Sequence, residues 1–315
     1  MHIRIHFVFA ALAFATSVFA APQTPEGSDG PELTDEQTAA LRQAYVDSLE
    51  ASYTYRTGAI PLSGDVATLD VPDGFKFLDA AQSKQVIVKV WDNPPDVAES
   101  VLGIIIPANS GVLDNPFAFV VEYDSMGYVS DKDADDIDYD EMMIGLKKDD
   151  VEDNKHRQEA GYGTLDLVGW ASQPYYDKEN KVLHWAKELH AQDADGNTLN
   201  YNVRVLGRKG VLILNAVASM SELDTVKQNI PAVLSMAKFN PGYTYEEFDS
   251  KIDNVAAWTI GGLVAGKVLA KVGLFALLLK NIKLLILAIS GGGAAVWRFI
   301  TGRKKKDGPE EFPKA

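Results

Sequence analysis

"KVLHWAKELHAQDADGNTLNYNVRVLGRKGVLILNAVA", residues 181–218, reads as three strands joined by two tight turns. Residues 181–191 form a strand-like run, and apolar and polar residues alternate through 199–205, the period of a strand with one buried face. Between them lies "DADGNT" (193–198), where Asp195-Gly196 gives a strong short hairpin signal. Lys209 and Gly210 make a second tight turn into the apolar run "VLILNAVA" (211–218). Consecutive strands joined this way form an antiparallel meander.

Upstream, short strand-like runs occupy 67–71, 75–78, 86–91, 101–106 and 117–123, separated by Pro and Gly. Thr34 and Gln37 form a capping box for a helix in which Leu41, Tyr45 and Leu49 recur every four residues, with Gly58 expected to end it. A longer helix is expected over 133–160, broken near Asp149, followed by a strand in "TLDLVGWA" (164–171). After the meander, Ser221 and Asp224 open a helix with the apolar stripe Leu223, Val226, Ile230, Leu234 and Ala237, which Pro231 is able to kink. Residues 239–253 read as a link. The expected fold class is α+β: a largely antiparallel sheet with flanking helices in an exported domain, plus a C-terminal membrane helix region.

The two ends carry targeting signals. Residues 1–20 have a positive start at Arg4, an apolar run over 7–15 too short for a span, and the small-residue pattern of Val18 and Ala20. A signal peptide cut after Ala20 is expected, an uncleaved anchor being the alternative, with a linker over 21–33. At the other end, 255–300 is mostly apolar and is followed by a basic cluster at 303–306. The cleanest span is 284–300, starting at Leu284, with Trp297 and Phe299 at the interface and Arg303 and Lys304 opening a cytoplasmic tail over 302–315. Residues 256–279 are expected to form an amphipathic, interfacial or partly re-entrant helix, with Lys267 and Lys271 on one face and Gly262 and Gly266 as a close-packing pair. A helical hairpin with two crossings is the alternative. The exported domain then spans 34–250, and the anchor region 251–301.

Charge follows the same division. Residues 22–250 carry 40 acidic and 18 basic side chains, a net of −22, whereas 251–315 carry 4 and 11, a net of +7. The acidic part should repel nucleic acid, and the basic end should favour an anionic inner membrane surface. The expected partners are thus a membrane and an envelope protein of unknown identity, not nucleic acid. The expected location is a cytoplasmic membrane with the N-terminal domain outside the cytoplasm. The chain has no cysteine, which excludes disulfides, thiolate metal sites and a cysteine nucleophile.

A family resemblance runs through "WDNPP" (91–95), "GYVSDKDADDIDYDEM" (127–142), "LVGWASQPYYD" (167–177), "HWAKEL" (184–189), "LNYNVRVLGRKGVLILN" (199–215) and "VAAWTIGGLVAGKVLAKVGL" (255–274). Together these segments resemble the bacterial family of membrane-anchored proteins catalogued as domain of unknown function 2167. The resemblance implies an export signal, an extracytoplasmic domain and a C-terminal anchor, and with them a bacterial inner membrane and its periplasmic side. It implies no activity, substrate or catalytic residue.

Several groups could carry chemistry. Asp131, Asp133 and Asp135 fall at the first ligand positions of a calcium loop, but Asp136 occupies the glycine position and Met142 the closing one. Tyr139, Met142, Met143 and Leu146 have helical spacing, so the acidic run is expected to fill the first turns of a helix capped by Ser130 or Asp131. Weak divalent-cation binding and a docking surface are the alternatives. "DADGNT" also resembles a calcium string, and a plain turn explains it. Asn200, Asn202, Arg204 and Arg208 alternate along one strand and are the candidate ligand-binding stripe; pairing of the arginines with carboxylates is the plainer reading. His184, Glu188 and His190 share one strand face, so a hydrolase using His184, Glu188 and Arg204 is a rival. Trp91, Trp170 and Trp185 are expected in packing, although "WDNPP" could form a rigid rim. No GxSxG, phosphate-binding loop or GxGxxG occurs, and no cofactor is implied. The expectation is a non-enzymatic binding or scaffolding module, with an envelope hydrolase or a divalent-cation sensor as alternatives.

Overall fold

A computed structural model describes residues 34–266. In chain order they form α1 (Asp35–Ala51), β1 (Gly58–Pro61), β2 (Ala67–Val71), β3 (Phe75–Asp79), α2 (Ala80–Gln85), β4 (Val101–Pro107), β5 (Phe117–Asp124) and β6 (Tyr128–Ser130). Then come α3 (Tyr139–Glu159), β7 (Leu165–Asp177), β8 (Val182–Ala191), β9 (Asn197–Leu206), β10 (Val211–Ser219), α4 (Leu223–Met236), β11 (Ala237–Phe239), β12 (Val255–Thr259) and α5 (Ile260–Ala265). The fold is α+β.

Seven strands make one antiparallel sheet in the order β3-β4-β5-β10-β9-β8-β7. The meander expected over 181–218 is β8-β9-β10. Central β10 carries an almost wholly buried run and pairs with distant β5, which joins the two halves of the chain.

Directly paired residues project from the same sheet face, so the register sorts the side chains. One face holds Phe77, Ile105, Phe119, Leu214, Val203 and Tyr201, and packs on α4 and on the small sheet β1-β2-β11. Val226, Ile230, Val233 and Met236 are the buried stripe of α4, which runs unbroken through Pro231. The opposite face is covered in two parts. Over β3, β4 and β5 lie α2 and Trp91. Over β8 and the ends of β9 and β10 lie β6, β12 and α5. A polar seam runs between these two apolar patches.

Several expectations are corrected. Residues 86–91 form no strand: Val86–Val90 is a π turn continuing α2, which Asp79 caps by accepting from the Gln82 N–H at 3.0 Å. Its β-branched residues favour a strand in isolation, but Val86 and Ile87 are buried against the sheet, and burial outweighs propensity. Helix α1 has the expected capping box but ends at Ala51, and Gly58 instead opens β1. Helix α3 starts at Tyr139, not 133, and is not broken at Asp149. Its cap is Asp138, which accepts from Asp140 and Glu141 N–H at 3.0 and 2.9 Å. The earlier aspartates occupy turns before the helix.

The domain also extends past the boundary expected at 250. Residues 255–259 form β12, parallel to β6, and α5 follows with all six residues buried. So the described part of the expected amphipathic helix over 256–279 is a strand and a short core helix. Among the described residues no helix is long and apolar enough to cross a membrane. The signal peptide, the linker over 21–33, the span over 284–300 and the tail over 302–315 lie outside the described residues.

Candidate functional site

The polar seam gathers side chains from four adjacent strands. Asn202 pairs in register with Trp185 on β8 and with Asn215 on β10. Asn200 pairs with Lys187, and Arg204 pairs with Ile213, which in turn faces Glu122 on β5. All of these therefore lie on one face, and all except Ile213 are buried.

Hydrogen bonding along β9 has a forced direction. Arg204 donates from Nη1 to Asn215 Oδ1 at 2.7 Å and to the Val203 carbonyl at 3.2 Å, and from Nη2 to Asn202 Oδ1 at 3.2 Å. A guanidinium has no acceptor, so Asn202 must turn its oxygen toward Arg204 and its NH2 toward Asn200. Asn202 Nδ2 then donates to Asn200 Oδ1 at 2.7 Å and to the Asn200 carbonyl at 3.1 Å. This leaves Asn200 Nδ2 at the end of the chain with no partner, and Trp185 Nε1, on the same sheet face, is likewise unpartnered. Asn200 is 3% exposed and Trp185 2%. A buried donor without an acceptor is unfavourable by about 1–3 kcal/mol, so two in one place mark a site that a ligand or water completes.

Both side chains line a cavity of about 370 Å³. Its floor is the sheet: Trp185, Lys187, Asn200, Asn202 and Arg204. One wall is α3, presenting Asp149, Asp150, Glu152 and Asp153, and the other is the end of α5 at 264–266. The floor groups are buried, whereas Asp149, Glu152 and Asp153 are exposed. Helix α3 is fixed over the floor by Asn154, which accepts from Leu165 N–H at 2.7 Å, and by Asp150, which accepts from Leu167 N–H at 2.9 Å.

Electrostatics match the burial. Burial pushes the Lys187 amine down to about 8, with Arg204 pushing the same way and Asp150 and Asp153 opposing. Burial pushes Arg204 down to about 10 against the pull of Glu122 and Asp124. Burial raises Glu122 above the usual carboxylate range, although the Ser100 hydroxyl donates to it and Arg204 is near. Asp150 is raised by partial burial, with further repulsion from Asp166 and Asp153, and Asp153, though exposed on its outer side, is raised by desolvation of its carboxyl and by repulsion from Asp149. Arg204 also stacks over Trp185, its guanidinium carbon 4.9 Å from the ring centroid.

Three of the four residues in the expected stripe, Asn200, Asn202 and Arg204, come together here. Arg208 does not: it lies beyond the end of β9 and donates from Nε to Asp253 Oδ2 at 2.7 Å. The rival trio His184, Glu188 and Arg204 is overturned. His184 and Glu188 pair with Val203 and Leu199 and so project from the opposite sheet face to Arg204. Glu188 accepts from Asn197, and Asn197 Oδ1 lies 2.8 Å from His190 Nδ1. His156 sits exposed on α3 beside Glu152 and Glu159.

The acidic run disperses onto different partners. Asp131 accepts from Lys181 at 3.0 Å and Tyr176 at 2.9 Å, and these bonds outweigh burial to hold its carboxyl below the usual range. Asp133 accepts from Ile260 and Gly261 N–H, and Asp135 pairs with Lys178. Among the described residues no three His, Cys, Asp or Glu side chains are grouped to hold a metal ion. "WDNPP" forms no rim: Trp91 and Asn93 are buried, and Trp91 Nε1 donates to the Val112 carbonyl at 3.0 Å. Trp170 donates to the Tyr139 carbonyl at 3.2 Å and pins the start of α3 to β7.

Sequence reasoning missed Lys187, Asn215, Glu122 and the α3 wall. A signal existed for the first two. Lys187 shares strand parity with Trp185 and Leu183, and Asn215 interrupts an apolar run, so each places a polar group on a buried face.

A family model described as "Protein of unknown function (DUF2167)" matches residues 54–292. No curated protein matches the chain. Among solved structures, the chain is similar to cyanobacterial PsbP (CyanoP) from Synechocystis sp. PCC 6803, with 14% identity over 69% of this chain and 100% of that one and a TM-score of 0.32. It is similar also to the Ran-binding protein Mog1p of Saccharomyces cerevisiae, with 11% identity over 63% of this chain and 100% of that one and a TM-score of 0.32.

Proposed function

The chain belongs to the DUF2167 family of proteins of unknown function, and we propose from its geometry that it is a binding module whose sheet-face cavity holds a small polar ligand. One observation carries this reading: Asn200 Nδ2 and Trp185 Nε1 are buried, unpartnered donors lining the same cavity. The asparagine chain fixes the direction of Asn200 Nδ2, and an acceptor reaching the cavity floor would complete both buried donors. Saturation of the full-length chain with acetate or inorganic phosphate, followed by indole and amide NMR signals, tests it. Selective shifts of Trp185 Nε1–H and Asn200 Nδ2–H2 are expected; signals unmoved at saturating concentrations of both would count against the reading.

The module is further proposed to stand outside the cytoplasm on an inner-membrane tether, acting on a ligand or an envelope protein. Support comes from the signal-like residues 1–20, the apolar run over 284–300 and the net charge of −22 over 22–250. Protease digestion of spheroplasts tests this: 34–266 should be cleaved from outside, and protection of that segment in intact spheroplasts would refute the topology.

A second reading follows from Lys187. A buried amine held near pKa 8 is partly neutral at physiological pH and could attack a carbonyl carbon, the carbonyl oxygen leaving as water, to form an imine. Treatment with propanal and borohydride should then alkylate Lys187 ahead of the surface lysines. Equal labelling of all lysines would rule it out.

A further inference from the structure

The cavity is polarised along its depth. At the bottom, Asn200 Nδ2 and Trp185 Nε1 are unpartnered and the cations Arg204 and Lys187 stand beside them. At the mouth, Asp149, Asp150, Glu152 and Asp153 of α3 present four carboxylates, three of them exposed. A simple anion would satisfy the floor but meet the acidic wall. A simple cation would suit the wall but leave both buried donors without an acceptor, next to two positive charges. Only a molecule carrying both signs matches both ends.

We propose that the cavity binds a small zwitterion of the amino-acid class, its carboxylate accepting from Asn200 Nδ2 and Trp185 Nε1 and its ammonium against the α3 carboxylates. This rests on the cavity being a binding site, as set out above. The hydrogen bonds from Arg204 through Asn202 to Asn200 polarise the terminal amide and strengthen it as a donor to a carboxylate. The apolar lining of Leu146, Leu167, Val264 and Ala265 accommodates a short aliphatic linker between the two charged ends. Arg204 keeps its own amide partners throughout, so the proposal needs no charge to be released from the fold.

Calorimetric titration of the full-length chain tests this with glycine, β-alanine and γ-aminobutyrate, and with acetate and butylamine as the two half-molecules. At least one amino acid should bind about tenfold or more tightly than either half, a difference well above calorimetric error. Joint replacement Asp149→Asn and Asp153→Asn, both at exposed positions, should weaken the amino acid several-fold and leave acetate bound as tightly or more tightly. Asn200→Ala should weaken both amino acid and acetate, with the melting temperature reporting that the variant is folded. Acetate binding as tightly as every amino acid would overturn the zwitterion and keep the cavity as an anion site. Butylamine binding as tightly would overturn it as well. No heat from any probe would overturn the cavity reading itself.

Discussion

Asp133 caps a helix more than a hundred residues away: its carboxylate accepts hydrogen bonds from the backbone N–H groups of Ile260 and Gly261, each at 3.2 Å. Thr259 adds its own hydroxyl, accepting from Gly262 N–H at 3.2 Å. A carboxylate at a helix N-terminus satisfies orphan donors and complements the dipole. One member of an acidic run that resembles a calcium loop thus holds α5 in place. Asp133→Ala should lower stability by about 1 kcal/mol, and Asp133→Asn by less, in urea unfolding. Millimolar calcium should leave the melting temperature of the native chain unchanged.

Arg204 and Asn215 give a sharper test. Asn215 Oδ1 is the nearest acceptor to a buried guanidinium, at 2.7 Å. Asn215→Leu keeps the branching at Cγ and removes the acceptor. Leaving a buried charged donor short of a partner should destabilise the chain by about 2–3 kcal/mol. A loss under half of that in urea unfolding would mean that water already solvates Arg204.

Lys187 predicts a pH signature. Its folded pKa is depressed from 10.5 to about 8. Between these values the unfolded chain holds a proton that the folded chain has released, so stability rises with pH across the window and the penalty is fully present below pH 8. The shift corresponds to about 3 kcal/mol. Tyr55, Tyr176 and Tyr245 are all raised above their ordinary value and act in the opposite sense above pH 10, so the comparison needs a control. Lys187→Met supplies it. The unfolding free energy of the native chain relative to this variant should rise from pH 7.5 to 9.5 (roughly the lower part of the window). A difference independent of pH would show that Lys187 is not depressed.

The sheet was legible where its physics is local. Alternation and the Asp195-Gly196 turn specify β8 and β9, and the stripe Asn200, Asn202 and Arg204 follows from parity alone. Pairing of β10 with β5 was not legible, because no local pattern encodes a contact between Val120 and Asn215. The same holds for the site. Its floor was half visible, but the α3 wall depends on where Asn154 and Asp150 anchor the helix. Arg208 shows the opposite error: parity placed it on the stripe, but β9 ends at Leu206 and Gly207 starts the turn. Residues 86–91 and 255–265 misled for a shared reason. Apolar runs report burial, and burial alone does not distinguish a strand from a helix turn, or a domain core from a membrane.

That last ambiguity has a direct test in α5. Leu263 and Val264 are buried in the cluster with Trp258, Trp185 and Leu183, so the segment with its two glycines belongs to the core on the described face of the sheet. Were it only an approach to the membrane, shortening Leu263 would leave the domain's stability untouched. Because it is core, Leu263→Ala should cost about 2–5 kcal/mol through lost burial and the cavity left behind. The same change should weaken ligand binding, since Val264 and Ala265 line the cavity and shift with the helix. Urea unfolding of the full-length chain, followed by tryptophan fluorescence from Trp185 and Trp258, reads the first effect. A midpoint equal to that of the native chain would place α5 outside the cooperative domain and return 255–265 to the anchor.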